Sequence, residues 1–196
     1  MLTKDELLGP LALLRTTEVV VTTMGSVRPW SQYSESELDF ASADSAMGHA
    51  ADLALGIALA QPDRKVVCLN GDGSMLMTLG SLITVIESGA RNLILFVVQN
   101  QTFEITGNQA IPGAATVDFA MLARGAGFVN SYSFDDPTNY ARVLPEILRA
   151  PGPTFLSVRV KPGSEGPLVR GNPEESRYLQ PSLAESAYQL RRVLSD

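Results

Sequence analysis

The sequence predicts an α/β fold of three layers, a mainly parallel sheet with helices on both faces. Two observations carry that prediction. Short β-branched and apolar runs alternate with helical stretches along the chain, the pattern of strand–helix–strand crossovers. Two of those runs, Val66-Val67-Cys68-Leu69 and Leu93-Ile94-Leu95-Phe96-Val97-Val98, are apolar throughout, as strands covered on both faces must be. With 196 residues and 45% apolar composition, the chain can bury one sizeable core. It reads as a single domain over residues 1–196.

The elements follow in order. Thr3 to Leu14 reads as an amphipathic helix, with Thr3 as N-cap and Glu6 completing a capping box. Glu18 to Thr23 is a β-branched strand. Met24 to Ser42 reads as irregular, with Gly25, Pro29 and the aromatics Trp30, Tyr33 and Phe40, and is a candidate for substrate or interface contacts. Ser45-Ala46-Met47-Gly48-His49 opens a small-residue helix that runs to Ala60. After Val66–Leu69 come Gly71-Asp72-Gly73-Ser74 and a helix from Met75 to Ser88. The strand Leu93–Val98 ends in Gln99-Asn100-Gln101-Thr102. A loop to Gly113, a helix over 117–125, a strand over 128–132, the helix Pro137–Arg149 and the strand Thr154–Val160 complete the sheet. Residues 162–181, rich in Pro, Gly and Glu, read as a surface arm, and Ser182 caps a C-terminal helix over 182–195.

Composition removes several function classes. The net charge is −6 and no basic stripe exists, which argues against a nucleic-acid partner. No apolar run reaches membrane-spanning length, and Met1-Leu2-Thr3-Lys4-Asp5-Glu6 is no signal peptide. The expectation is a cytoplasmic protein with no membrane partner. The one cysteine, Cys68, sits within a strand. It excludes an internal disulfide or a cysteine-ligated cluster and reads as a packed thiol.

The chemistry lies at two strand ends. Gly71-Asp72-Gly73-Ser74 and Gln99-Asn100-Gln101-Thr102 each follow an apolar strand, one strand–helix–strand unit apart. In open α/β sheets, ligands bind outside the carboxyl ends of the strands. Asp72, Asn100 and a backbone carbonyl supply hard oxygen ligands of the kind Mg²⁺ or Ca²⁺ prefers. The glycines allow backbone N–H groups to approach an anion. A Gly-Asp-Gly triplet alone is also a common turn; the second strand end is what gives it weight. Neither a Gly-x-Gly-x-x-Gly nor a Gly-x-x-x-x-Gly-Lys pattern occupies this turn.

As a set, these residues resemble the diphosphate-binding motif of thiamine-diphosphate enzymes. Met47-Gly48 resembles the motif that bends the cofactor. Gly56-Ile57-Ala58-Leu59-Ala60-Gln61-Pro62 and Thr106-Gly107-Asn108-Gln109 resemble segments of sulfopyruvate and phosphonopyruvate decarboxylases. The resemblance covers roughly residues 45 to 160. It implies that Asp72 and Asn100 bind Mg²⁺ through side-chain oxygens and Thr102 through its carbonyl. Gly71, Gly73 and Ser74 would hold the diphosphate. Met47, with Gly48, would support the cofactor's bend, which brings the pyrimidine amino nitrogen beside the thiazolium C2. The Ser45 carbonyl would receive the pyrimidine amino group, and Phe103, Glu104 and Ile105 would line the thiazolium side. Three departures from common members are Gln99 in place of Asn, a spacer one residue longer, and Phe103 in place of Tyr.

Other residues carry two readings. His49, the single histidine, either faces the cofactor and moves protons or serves the helix start. Glu104 is either a catalytic acid or a loop carboxylate in water. Arg28 and Arg124 either meet an anionic substrate or are solvated surface arginines, and Met75 and Met77 read as packing. The resemblance further implies a second, pyrimidine-binding domain with an activating glutamate. One domain fills this chain, and Glu18 is not placed as that glutamate. The expectation is therefore a diphosphate-binding (beta) subunit of a split 2-oxoacid decarboxylase, working in a hetero-oligomer with a pyrimidine-binding (alpha) subunit on a small 2-oxoacid. The alternatives are an acetolactate-synthase-like carboligase component and a non-catalytic, regulatory cofactor-binding subunit.

Overall fold

The computed structural model describes residues 1–44 and 47–195. Lys4–Leu14 forms α1, and the Thr3–Glu6 capping box is present in both directions. The strand β1 spans Val19–Thr22. The segment expected to be irregular holds a short 3₁₀ turn at Met24–Ser26, the helix α2 at Val27–Ser31 and a three-residue strand, β2, at Asp39–Ala41. Next come α3 (Ala50–Ala60), β3 (Val66–Gly71), α4 (Asp72–Met77), α5 (Ser81–Glu87) and β4 (Leu93–Gln99). The loop after β4 carries a small antiparallel pair, β5 (Thr102–Phe103) and β6 (Gln109–Ala110). Then follow α6 (Phe119–Ala126), β7 (Asn130–Phe134), α7 (Pro137–Arg149), β8 (Thr154–Arg159) and α8 (Leu183–Ser195).

Six strands form one sheet in the order β2-β1-β3-β4-β8-β7, every neighbouring pair parallel. Alternate residues of the strands serve two cores, as the two-residue period of a strand requires. Val19, Val21, Val66, Cys68, Leu93, Leu95 and Phe155 pack beneath α3, α5, α6 and α8. Val20, Val67, Leu69, Ile94, Phe96, Leu156 and Val158 pack against α1, α7 and Trp30 of α2. The three expected layers are thus present. Cys68 is fully buried, and burial pushes its thiol well above the usual range, as a packed thiol requires.

Three elements differ from the sequence reading. The expected helix from Met75 to Ser88 is two helices. It breaks at Thr78, which leaves helical geometry and donates its hydroxyl to the Gly48 carbonyl at 2.7 Å. Strand β7 begins two residues later than expected, because Phe128 is taken up by the C-terminal cap that follows α6. Gly127 adopts φ 110° there, and the Phe128 N–H bonds back to the Ala123 carbonyl at 3.0 Å, the C-terminal cap that an αL glycine makes possible. Residues 162–181 are tied down by two arginines. Arg28 donates to both carboxylate oxygens of Glu175 and to the carbonyls of Gly166 and Pro167. Arg170 reaches Asp44 and the Ala41 carbonyl at 2.7 Å each. Arg28, its side chain 29% exposed, is therefore engaged by the arm and not free for an anion. Arg124 is exposed and bonds the Ser131 carbonyl at 3.1 Å. Ser182 and Glu185 form a reciprocal box at the start of α8.

Candidate diphosphate and metal site

The strand order places the site. The chain leaves β1 toward β2 on one side and leaves β3 toward β4 on the other, so β1/β3 is the switch point of the sheet, where a crevice opens. A cleft of about 470 Å³ lies there, within the usual range of small-molecule sites. The segment after β1 (Thr23, Met24, Gly25, Ser26), the turn Gly71–Ser74, Asn100 and the stretch Thr102–Thr106 line it, together with Met47, Gly48 and Met77.

Asp72 and Asn100 meet because β3 and β4 run in parallel register, Gly71 opposite Val98. Asp72 is 1% exposed. Its Oδ1 accepts the Gly73 N–H at 2.8 Å, and its Oδ2 accepts the Gln101 N–H at 2.6 Å, which ties the two strand ends together. Among the described residues no Lys, Arg or His pairs with it. Burial raises its pKa to about 6, against the opposing effect of those backbone N–H bonds. A buried carboxylate without a cation is costly, and a bound metal ion would offset that cost. The Asn100 carboxamide donates Nδ2–H to Glu104 at 2.8 Å and accepts the Thr102 N–H at 3.1 Å.

Two further observations fit a phosphate ester. The Ser74 hydroxyl is buried, lines the cleft and has no hydrogen-bond partner in the protein. Gly71, at the N-cap of α4, supplies no side-chain acceptor, and the first-turn N–H groups beyond Gly73, whose own N–H is taken by Asp72 Oδ1, are left to an anion. The residues present therefore fit Mg²⁺ and a diphosphate. Among the described residues no three His, Cys, Asp or Glu side chains converge, and the expected set needs one carboxylate, one carboxamide and one carbonyl.

Close packing shapes the cleft. A Cβ on Gly73 would stand 2.5 Å from Cε1 of Phe103. Gly73→Ala is therefore expected to displace Phe103 and destabilise the chain by about 1–3 kcal/mol, the range of overpacking; thermal or urea unfolding checks it. Gly48 has φ +85°, and its Cβ would lie 2.8 Å from Cβ of Met77. Only glycine satisfies both demands. Met24 and Gln101, neither a glycine, hold φ of 43° and 67° at the edges of the cleft. Such strained residues cluster at ligand sites.

The other expected residues divide. Met47, Gly48, Phe103, Ile105 and Thr102 line the cleft, Met47 at 64% exposure. Ser45 lies outside the described residues. His49 is absent from the cleft lining; its Nδ1 lies 2.5 Å from Asp52, at the exposed start of α3. Glu104 is 5% exposed, so the reading of a loop carboxylate in water is corrected. Its Oε1 lies 2.6 Å from Nζ of Lys4 and accepts the Glu165 N–H at 3.1 Å. Burial raises the Glu104 pKa, but the bonds from Lys4, Glu165 and Asn100 outweigh it and hold the carboxyl below the usual range. Gln99 points away from the site, its carboxamide oxygen accepting from the Ser157 hydroxyl at 3.1 Å across the sheet. Its departure from Asn thus touches no ligand. Sequence reasoning missed Lys4, which lines the cleft from α1; the capping box marks a helix start but carries no sign of its neighbour.

Comparison with known proteins agrees with this geometry. Residues 22–158 match the family model "Thiamine pyrophosphate enzyme, C-terminal TPP binding domain". The sulfopyruvate decarboxylase subunit beta of Methanothermobacter thermautotrophicus is 38% identical over 130 residues, covering 66% of this chain and 66% of that protein. A phosphonopyruvate decarboxylase of Streptomyces hygroscopicus is 37% identical over 125 residues, 64% of this chain and 31% of that one. The matched region thus spans about two thirds of the first relative and a third of the second. A "putative thiamin diphosphate-dependent enzyme isolated from Mycobacterium smegmatis" superposes with a TM-score of 0.70 at 23% identity, over 83% of this chain and 32% of that one. By its matched length, its sheet and its cleft, the chain belongs to the thiamine pyrophosphate enzyme family as a C-terminal TPP binding domain.

Proposed function

We propose that this chain is the diphosphate-binding subunit of a split, thiamine-diphosphate-dependent 2-oxoacid decarboxylase of the sulfopyruvate or phosphonopyruvate type. The observation that carries the reading is the pairing of Asp72 and Asn100 at adjacent strand ends, beside an uncapped helix start and the unpartnered Ser74 hydroxyl. Asp72, the Asn100 carboxamide oxygen and the Thr102 carbonyl hold Mg²⁺. Gly71, Gly73 and Ser74 hold the diphosphate. Thiamine diphosphate, when bound, supplies the electron sink that loss of CO₂ from a 2-oxoacid requires. Phe103 and Ile105 keep water from that side of the cleft, and Met47 supports the bend. His49, paired with Asp52 outside the cleft lining, is assigned to the helix start and has no part in the chemistry.

The exposed Met47 and Met77, at 64% and 46%, form an apolar mouth to the cleft, and a pyrimidine-binding partner subunit covers it in this reading. Met47→Ala in the assembled complex is expected to lower turnover by about 10–100-fold, the scale of a displaced reacting group. Cofactor affinity changes far less, because the diphosphate anchor at Asp72–Ser74 is separate. Steady-state kinetics beside calorimetric titration test this; unchanged turnover returns Met47 to packing.

A further inference from the structure

We infer that Glu104 is a positioning residue that sets which way the Asn100 carboxamide faces, and that the Lys4 ammonium enforces that role. The inference rests on the proposed metal-binding role of Asn100. A carboxamide has one accepting and one donating end, and only the oxygen can ligate a cation. An ionised carboxylate accepts and never donates. Glu104 Oε2, 2.8 Å from Asn100 Nδ2, therefore demands the amide's donating end and turns the oxygen to the other side. There Oδ1 accepts the Thr102 N–H at 3.1 Å.

Glu104 is in turn held by three residues from two segments, α1 and the loop over 163–165. Lys4 at the start of α1 approaches Oε1 to 2.6 Å, with side-chain exposures of 15% and 2% for the pair. The Glu165 N–H donates to the same oxygen at 3.1 Å. Gly163 passes so close that a Cβ there would overlap that oxygen. Both carboxylate oxygens are committed, Oε1 to the Lys4 ammonium and the Glu165 N–H and Oε2 to Asn100. A residue so bound orients its neighbour; it does not carry protons to a substrate.

The arrangement makes an unusual demand of Glu104→Gln. The glutamine offers one oxygen where Lys4 and the Glu165 N–H claim one side and Asn100 Nδ2 the other. Lys4 can only donate, so its charge draws the oxygen and turns the glutamine NH₂ toward Asn100. Asn100 must then reverse and present its own NH₂ to the metal position. Only the neutral Thr102 N–H bond opposes this, and hydrogen bonds to charged groups are roughly twice as strong as neutral ones. Removing the ammonium as well leaves one neutral donor on each side, the Glu165 N–H at 3.1 Å and the Asn100 Nδ2–H at 2.8 Å. In Lys4→Met/Glu104→Gln no charge holds the glutamine oxygen away from Asn100, and the Thr102 N–H bond favours the original orientation of the Asn100 amide.

The test titrates the full chain with Mn²⁺ in the presence of thiamine diphosphate, free Mn²⁺ being read by electron paramagnetic resonance. Glu104→Gln is expected to weaken Mn²⁺ binding by about 10–100-fold, the range for partners that orient metal ligands. The double variant is expected to recover to within about threefold of wild type, a non-additivity typical of residues in contact. Wild-type Mn²⁺ affinity in folded Glu104→Gln overturns the inference. So does a folded double variant that binds no better than Glu104→Gln or, where that single variant fails to fold, no better than Asp72→Ala. Asp72→Ala is the control: if it binds Mn²⁺ as wild type does, the metal site itself is wrong, whereas a loss there with no effect in Glu104→Gln sinks the positioning role alone.

Discussion

Asp72→Ala is expected to abolish metal-dependent cofactor binding while the chain stays folded. The carboxylate sits at a strand end, 1% exposed, and both its oxygens accept backbone N–H groups. Its removal takes away the single anionic side chain among the proposed Mg²⁺ ligands. Changes in groups that merely orient ligands cost about 10–100-fold in metal affinity, and loss of the charged ligand itself should exceed that. The cost to the fold is smaller. Two N–H groups lose a partner, but a buried charge that no cation offsets is also removed, and the two effects oppose each other. Calorimetric titration with thiamine diphosphate and Mg²⁺ measures the first effect, and thermal unfolding the second. Affinity equal to wild type would refute the metal assignment.

The pair Asp72 and Asn100 was legible because both follow strands whose runs over 66–69 and 93–98 are apolar throughout. A buried parallel strand has no solvent face, so its run of Val, Leu, Ile and Phe announces it, and its carboxyl end is where ligands gather. The capping boxes at Thr3–Glu6 and Ser182–Glu185 were legible for a local reason, since both partners lie within one turn. What escaped was set by distant contacts. Strand β2 begins with Asp39, a poor strand former; its carboxylate is buried because Arg15 Nη2 lies 3.2 Å away. The break at Thr78 depends on a carbonyl thirty residues earlier in the chain. Glu104 reads as a loop acid until α1 delivers Lys4 across a separation of 100 residues. No periodicity in the chain encodes those pairings. They arise once the sheet has brought the elements together, and they concentrate around the cleft, where local preference and final environment disagree most.

The isolated chain is expected to release no CO₂ from any 2-oxoacid above background, even with Mg²⁺ and thiamine diphosphate in excess. Among the described residues the carboxylates lining the cleft are Asp72 and Glu104. Asp72 accepts two backbone N–H groups and is the carboxylate assigned to the metal in the proposed site, and Glu104 is bonded to Lys4, Asn100 and the Glu165 N–H. Neither is free to bond the pyrimidine ring nitrogen and drive the tautomer that activates the cofactor. His49 is turned to Asp52 and away from the cleft. Any residual acid–base assistance, worth about 10²–10⁴-fold where it operates, cannot replace that activating contact. The exposed Met47 at the mouth would leave the cofactor solvated on one side, so affinity should also be weak. A partner that covers this mouth and contributes a glutamate is expected to restore tight binding and turnover together. The substrate expected is a 2-oxoacid with a small anionic tail, such as a sulfonate or phosphonate. A CO₂-release assay across a 2-oxoacid panel, run with and without a candidate pyrimidine-binding subunit, decides the matter. Steady-state turnover by the chain alone would sink the split-subunit reading, because the activating carboxylate would then have to be one of two side chains whose oxygens are already taken.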